Sequence, residues 1–149
     1  MEQESEFKKI ILIGRSTAGK TSLCQAIRGE ELNYYKTQTV HIENSNMIDT
    51  PGEYIERTYL KGCLVVSAAD AEVIVLVQDP TKDELIFPPT YGAMFNKPCI
   101  GIITKIDIAE EKQIEHAHKY LEIAGAQKIL KISNKTKEGI KEFLDLIKK

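Results

Sequence analysis

The chain has 149 residues, enough for one compact domain that buries most of its unfolded surface without a metal or a disulfide. Its 42% hydrophobic and 28% charged residues exclude a mainly disordered, collagenous or coiled-coil protein. Basic residues number 20 against 22 acidic ones, a net charge of −2, so no basic field for duplex nucleic acid exists, although a local anion site is compatible.

Met1 to Phe7 is acidic, where a signal peptide would be basic and then apolar. Residues 1–6 are expected to form a short acidic tail, too short for an amphipathic targeting helix. No apolar run reaches the ~18 residues of a membrane span. Cys24, Cys63 and Cys99 contain no CxxC pair and read as reduced thiols. A soluble cytoplasmic protein with neither a membrane span nor a nucleic-acid partner is expected.

Lys9–Ile13 is the first apolar run, rich in Ile and without alternation, the pattern of a strand buried on both faces of a parallel sheet. Gly14-Arg15-Ser16-Thr17-Ala18-Gly19-Lys20-Thr21 follows and matches G-x-x-x-x-G-K-[ST] at every fixed position. The glycines let the backbone wrap so that successive N–H groups face one anion. The helix predicted from Ser22 to Arg28 adds its positive end there and stops at Gly29. Lys20 reaches the β- and γ-phosphates and the Thr21 hydroxyl ligates Mg²⁺. An ordinary glycine turn is the bland alternative, but by chance the pattern appears in roughly a few chains per thousand of this length. Expected phosphate contacts therefore run through Gly14, Arg15, Ser16, Thr17, Ala18, Gly19, Lys20, Thr21 and Ser22. Arg15 leans over the phosphates or is a solvated arginine.

Thr39–Glu43 and Asn46–Asp49 flank Asn44-Ser45, which predicts a hairpin and one antiparallel edge strand. Asp49-Thr50-Pro51-Gly52 alone is a turn signal. Behind a phosphate loop it reads as a second site. The Asp49 carboxylate would hold Mg²⁺ through water, and the Gly52 N–H would donate to the γ-phosphate, in a loop that orders and disorders with hydrolysis. Glu56–Ala68 is a helix candidate interrupted by Gly62, and Val73–Val77 is a buried strand. Pro88-Pro89 opens a short helix near Tyr91–Asn96.

Ile100–Thr104 is the next buried strand, and Thr104-Lys105-Ile106-Asp107 closes it. The Asp107 carboxylate suits guanine, whose N1–H and N2–H₂ donors are adjacent, and repels the N1 acceptor of adenine. The aliphatic stem of Lys105 would cover the base face. The alternative is a surface lysine and a helix N-cap at Asp107. Ile114, Ala117, His118, Leu121 and Ala124 recur at helical spacing and stop at Gly125. His116 and His118, two apart, do not share a face and make no metal pair. After the short strand Ile129–Ile132, the backbone of Ser133-Asn134-Lys135 would meet a base-ring oxygen, with a plain loop as the alternative. Ile140, Phe143, Leu144 and Ile147 mark a last helix.

This alternation predicts an α/β three-layer sandwich: a mostly parallel six-stranded sheet with one antiparallel edge strand and about five helices. Residues 1–149 are expected to form a single domain. In such sheets ligands sit beyond the carboxyl ends of the strands, so the chemistry belongs just after Ile13, Asp49, Val77 and Thr104.

Gly14–Thr21, Asp49–Gly52, Thr104–Asp107 and Ile132–Lys135 together resemble the first, third, fourth and fifth signatures of P-loop GTPases of the Ras-like and Era-like kind. Lys36-Thr37-Gln38, then Asp49-Thr50-Pro51-Gly52-Glu53-Tyr54, and the short span from Lys20 to Asp49 resemble the EutP/PduV family more narrowly. That resemblance implies a P-loop NTPase fold in a bacterial protein of ethanolamine or propanediol utilisation. It also implies association with metabolic microcompartments, with shell or pathway proteins as partners. Mg²⁺ would be held by Thr21, Asp49 and a switch threonine, Thr37 or its rival Thr39. Lys20, Gly52 and Glu53 would be catalytic. Glu53 stands where Ras-like proteins carry a water-orienting glutamine; a carboxylate there accepts a proton but repels developing negative charge, so hydrolysis on the order of 10⁻⁴ s⁻¹ is expected. Thr104 stands where Asn is usual, which leaves GTP/GDP and ATP/ADP as alternative nucleotides. Three functions fit: a slow GTPase-like switch, an acetate kinase passing the γ-phosphoryl of ATP to acetate, and a nucleotide-bound scaffold that does not hydrolyse.

Overall fold

The computed structural model describes residues 8–15, 23, 47–49, 69, 71–82, 84 and 86–148. Five strands lie among them: β1 (Ile10–Ile13), β2 (Met47–Asp49), β3 (Val73–Gln78), β4 (Cys99–Ile103) and β5 (Lys128–Lys131). They form one sheet in the order β2-β1-β3-β4-β5. Every pairing is parallel, with Leu12 beside Asp49, Ile13 beside Leu76, Gln78 beside Ile103 and Ile103 beside Lys131. The five carboxyl ends therefore share one edge of the sheet. The chain steps from β1 outward to β2 and then back across to β3, so the strand order reverses between β1 and β3, the crevice where such sheets take ligands. The predicted antiparallel strand, Thr39–Glu43, lies outside the described residues, as does the helix candidate Glu56–Ala68.

β1, β3 and β4 are buried along their whole length, as their unbroken apolar runs require. Alternate residues feed two separate cores. Ile10, Leu12, Val73, Val75, Val77, Ile100 and Ile102 pack on one face with Leu23, Ile140, Phe143, Leu144 and Ile147. Ile11, Ile13, Ile74, Leu76 and Ile103 pack on the other with Phe87, Tyr91, Phe95, Ala117, Leu121 and Ala124. Helices thus cover both faces, which makes three layers. Truncating the fully buried Phe143 to Ala would cost about 3–5 kcal/mol, lost transfer energy plus a cavity.

Helix α1 (Glu111–Ile123) opens on a capping pair in which the Glu110 N–H donates to Gln113 Oε1 at 2.8 Å. It ends at Gly125, whose φ of 96° only glycine adopts freely. Helix α2 (Ile140–Ile147) buries the four apolar residues its spacing predicts. A 3-10 helix spans Tyr91–Phe95, where the sequence suggested a short helix after Pro88-Pro89. Leu23 is helical and fully buried; the rest of the helix predicted from Ser22 to Arg28 lies outside the described residues. At the β5 edge, Lys128 and Lys131 are exposed, charges that discourage pairing with another strand.

Candidate nucleotide site

The carboxyl edge of the sheet collects the described parts of the predicted motifs. Gly14 is buried just past β1. Asp49 closes β2 in register with Leu12, two positions before Gly14. Thr104 to Asp107 leave β4, and Ser133 to Lys135 follow β5. Residues 16–22, Thr37, Thr39, Gly52 and Glu53 lie outside the described residues.

Thr104 is fully buried, its N–H and hydroxyl both directed to the Gln78 carbonyl at 3.1 and 3.3 Å. It extends the β3–β4 ladder by one step. Lys105 turns the chain out of the strand in the left-handed region, φ 55°, which costs a non-glycine residue on the order of 1 kcal/mol. Its carbonyl then accepts from the N–H groups of Ile108 and Ala109 at 3.1 and 3.0 Å, closing a tight turn that projects Asp107.

Asp107 is exposed and does not cap α1, since Glu110 does. Instead Asp107 Oδ1 accepts from the Ser133 hydroxyl at 2.9 Å. Ser133 is fully buried, and its Oγ accepts from the Thr136 N–H at 3.1 Å. Its own N–H donates to the Glu138 carbonyl, and its carbonyl accepts from Lys137. The loop after β5 thereby locks the Asp107 carboxylate. Among the described residues, the N–H groups of Asn134 and Lys135 donate to no acceptor, and Asn134 Oδ1 is buried without a hydrogen bond. A carboxylate with free acceptor capacity thus stands beside a loop with free N–H donors.

Two ion pairs tie the loop after β3 to its neighbours, one to the end of β4 and one to the residue that follows Gly14 after β1. Lys105 Nζ lies 2.8 Å from Asp79 Oδ2. Asp79 Oδ1 also accepts from the Thr81 N–H at 2.9 Å and the Thr81 hydroxyl at 2.6 Å. Burial alone raises the pKa of this carboxyl, but the Lys105 and Thr81 hydrogen bonds and the Lys105 charge outweigh it and hold the group below its ordinary value. The second pair joins Arg15 Nη1 to Glu84 Oε2 at 3.0 Å. Arg15 is 42% exposed in this pair. Gln78 ties the two ends of the loop by donating from Nε2 to the Glu84 carbonyl at 3.1 Å.

The PduV-EutP family, described as "Ethanolamine utilisation - propanediol utilisation", matches residues 7–149. The chain belongs to this family. It is 42% identical over 136 residues to "Propanediol utilization protein PduV" of Citrobacter freundii, covering 91% of this chain and 90% of that one. It is 26% identical over 141 residues to "Probable acetate kinase EutP" of Salmonella typhimurium, covering 94% and 89%. Among solved structures, the FeoB G-domain from Methanococcus jannaschii superposes with a TM-score of 0.61 at 20% identity, over 96% of each chain. The elongation factor SelB from Methanococcus maripaludis, in complex with a GTP analogue, gives 0.64 at 21% identity, over 98% of this chain and 34% of that one. The fold of this PduV-EutP member is accordingly that of the P-loop GTPases.

Sequence reasoning placed chemistry just after Val77 but named no residue there. Asp79 and Glu84 are the residues it missed. An acidic residue at the carboxyl end of a central strand, in Asp79-Pro80-Thr81, was the available signal. In α1, His118 Nδ1 lies 2.7 Å from Glu122 Oε1, one turn on, and among the described residues no His/Cys/Asp/Glu cluster could hold a metal. Cys99 is a free, buried thiol pushed up to about 11 by burial, which keeps it protonated and inert at neutral pH. No helix among the described residues is long and apolar enough to cross a membrane.

Proposed function

We propose that the chain binds a guanine nucleotide with Mg²⁺ and hydrolyses it slowly, as a switch within propanediol or ethanolamine utilisation. The observation that carries this reading is the Asp107–Ser133 bond at 2.9 Å beside the undonated N–H groups of Asn134 and Lys135. Guanine offers two adjacent N–H donors and one ring oxygen on the edge such a pair would meet. Adenine offers an acceptor and an amino group, which leaves both partners unsatisfied. Gly14 through Ser22 would cradle the phosphates, with Lys20 on the β- and γ-phosphates. Asp49 sits at the sheet edge beside the start of that loop, which fits a carboxylate acting on Mg²⁺ together with Thr21 and Thr37. Mg²⁺ would neutralise charge on the β- and γ-phosphates. Gly52 and Glu53 would address the γ-phosphate and water. Microcompartment shell or pathway proteins are the partners this reading carries.

Calorimetry with GDP and ADP in Mg²⁺ tests it. Tight GDP binding and at least ~30-fold weaker ADP binding are expected, a difference of about 2 kcal/mol that mispaired base edges supply. Equal affinities, or none for either, overturn the guanine reading.

The relative named "Probable acetate kinase EutP" favours a second reading, transfer of the γ-phosphoryl from ATP to acetate. A small anion pocket near Arg15 or Arg57 would then receive acetate; Arg15 is paired with Glu84, and Arg57 lies outside the described residues. Acetyl phosphate formed from ATP and acetate, and lost with Lys20→Ala, would establish it. Tight nucleotide binding with no phosphate release above a Lys20→Ala control would instead mark a scaffold.

A further inference from the structure

Lys105 carries the stem that would cover the base, and a lysine stem on a surface ordinarily samples many rotamers. Here both ends are fixed. The Cα end is set by the left-handed backbone at φ 55° and by the turn that the Lys105 carbonyl closes. The Nζ end is set by Asp79 Oδ2 at 2.8 Å. Asp79 in turn has almost no freedom. Its side chain is 3% exposed, against 34% for Lys105, and Thr81 holds its other oxygen with two hydrogen bonds. A four-carbon stem pinned at both ends is a preformed shelf, so a base stacking on it does not have to freeze it first.

We propose that Asp79 is a positioning residue for base recognition: it anchors Lys105 Nζ from the end of β3 so that the lysine stem is laid out in advance as the platform for the purine. The inference rests on the nucleotide reading above and adds a residue that touches no ligand atom. It acts through Lys105 alone, which separates it from a merely structural aspartate. The same loop carries Glu84, whose bond to Arg15 ties the platform's anchor to the start of the phosphate loop.

A double-mutant cycle on the full chain tests this, with GDP and ADP affinities by calorimetry and folding checked by thermal melting. Asp79→Asn is expected to weaken the tighter-binding nucleotide about tenfold, the scale of a lost preorganised contact to an aromatic face. In a Lys105→Met background the same change is expected to cost less than about twofold, because the group it positions is gone. Thr81→Ala, which removes one bond from Asp79, is expected to give a loss of about threefold that likewise vanishes beside Lys105→Met. It stands in for Asp79→Asn in the cycle if that variant fails to fold. Losses that add in the double mutant, or unchanged affinity in Asp79→Asn, overturn the positioning role while leaving the nucleotide reading intact. A wild-type chain that binds neither GDP nor ADP overturns both.

Discussion

The loop after β3 ends in two ion pairs of unlike character. At its start Asp79 is 3% exposed and receives Lys105 together with two bonds from Thr81. At its end Glu84 is 43% exposed and meets an Arg15 that is 42% exposed, at a similar distance. Distance therefore says little about what each pair contributes. Water reaches nearly half of each side chain in the second pair, although Glu84 Oε2 itself is closed off, whereas the whole first carboxylate has given up its hydration and depends on its partners. The inner arm is a fixed anchor between the ends of β3 and β4, and the outer arm is an adjustable tie to the chain after β1.

Asp79→Ala should produce the largest separation between the arms. It strands Lys105 and the Thr81 donors at once. Because Lys105 keeps partial access to water, the cost is below that of a fully buried pair, about 2 kcal/mol. For a chain of this length that is a melting-temperature drop of roughly 6 °C. A loss under ~0.5 kcal/mol in urea unfolding would mean that burial confers no advantage on this arm.

Acid should then erase the difference. The Asp79 carboxyl is held below its ordinary value of 3.8 in the fold. A carboxyl with a lowered folded-state pKa stabilises fully above its unfolded value, and the contribution fades as pH falls through the folded value. The stability gap between the parent and Asp79→Asn should stay constant from pH 7 to about 4 and close below that. A gap that widens on acidification, or stays flat to pH 2, contradicts the ion-pair account.

The same contrast explains what was legible in the sequence. β1, β3 and β4 were readable because strands buried on both faces must be apolar throughout. The four buried residues of α2 were readable because one helical face meets one core. Asp107 and Ser133 could each be singled out locally, but their 2.9 Å bond joins positions 26 apart and exists only once β4 and β5 lie side by side. Asp79 and Lys105 are also 26 apart, and nothing periodic marks their pairing. The start of α1 was ambiguous for a different reason: both Asp107 and Glu110 are acidic residues ahead of a helical run. The Glu110–Gln113 bond decides it and leaves Asp107 to Ser133.

The smallest effect belongs to Glu84→Gln. It keeps the size and the backbone carbonyl to which Gln78 Nε2 donates, and it removes only the charge facing Arg15. Half-exposed pairs of this kind are worth about 0–1 kcal/mol, and ions screen what remains. Its stability cost at 0.15 M salt should therefore be under ~0.5 kcal/mol and should disappear at 1 M, where the screening length is about 3 Å. The Asp79→Ala cost should persist at 1 M, because the buried carboxylate is closed to counterions. Unfolding both variants across that salt series sets the two arms against each other in one experiment. Equal costs, or a Glu84→Gln cost indifferent to salt, would mean that the outer pair is as firmly built as the inner one.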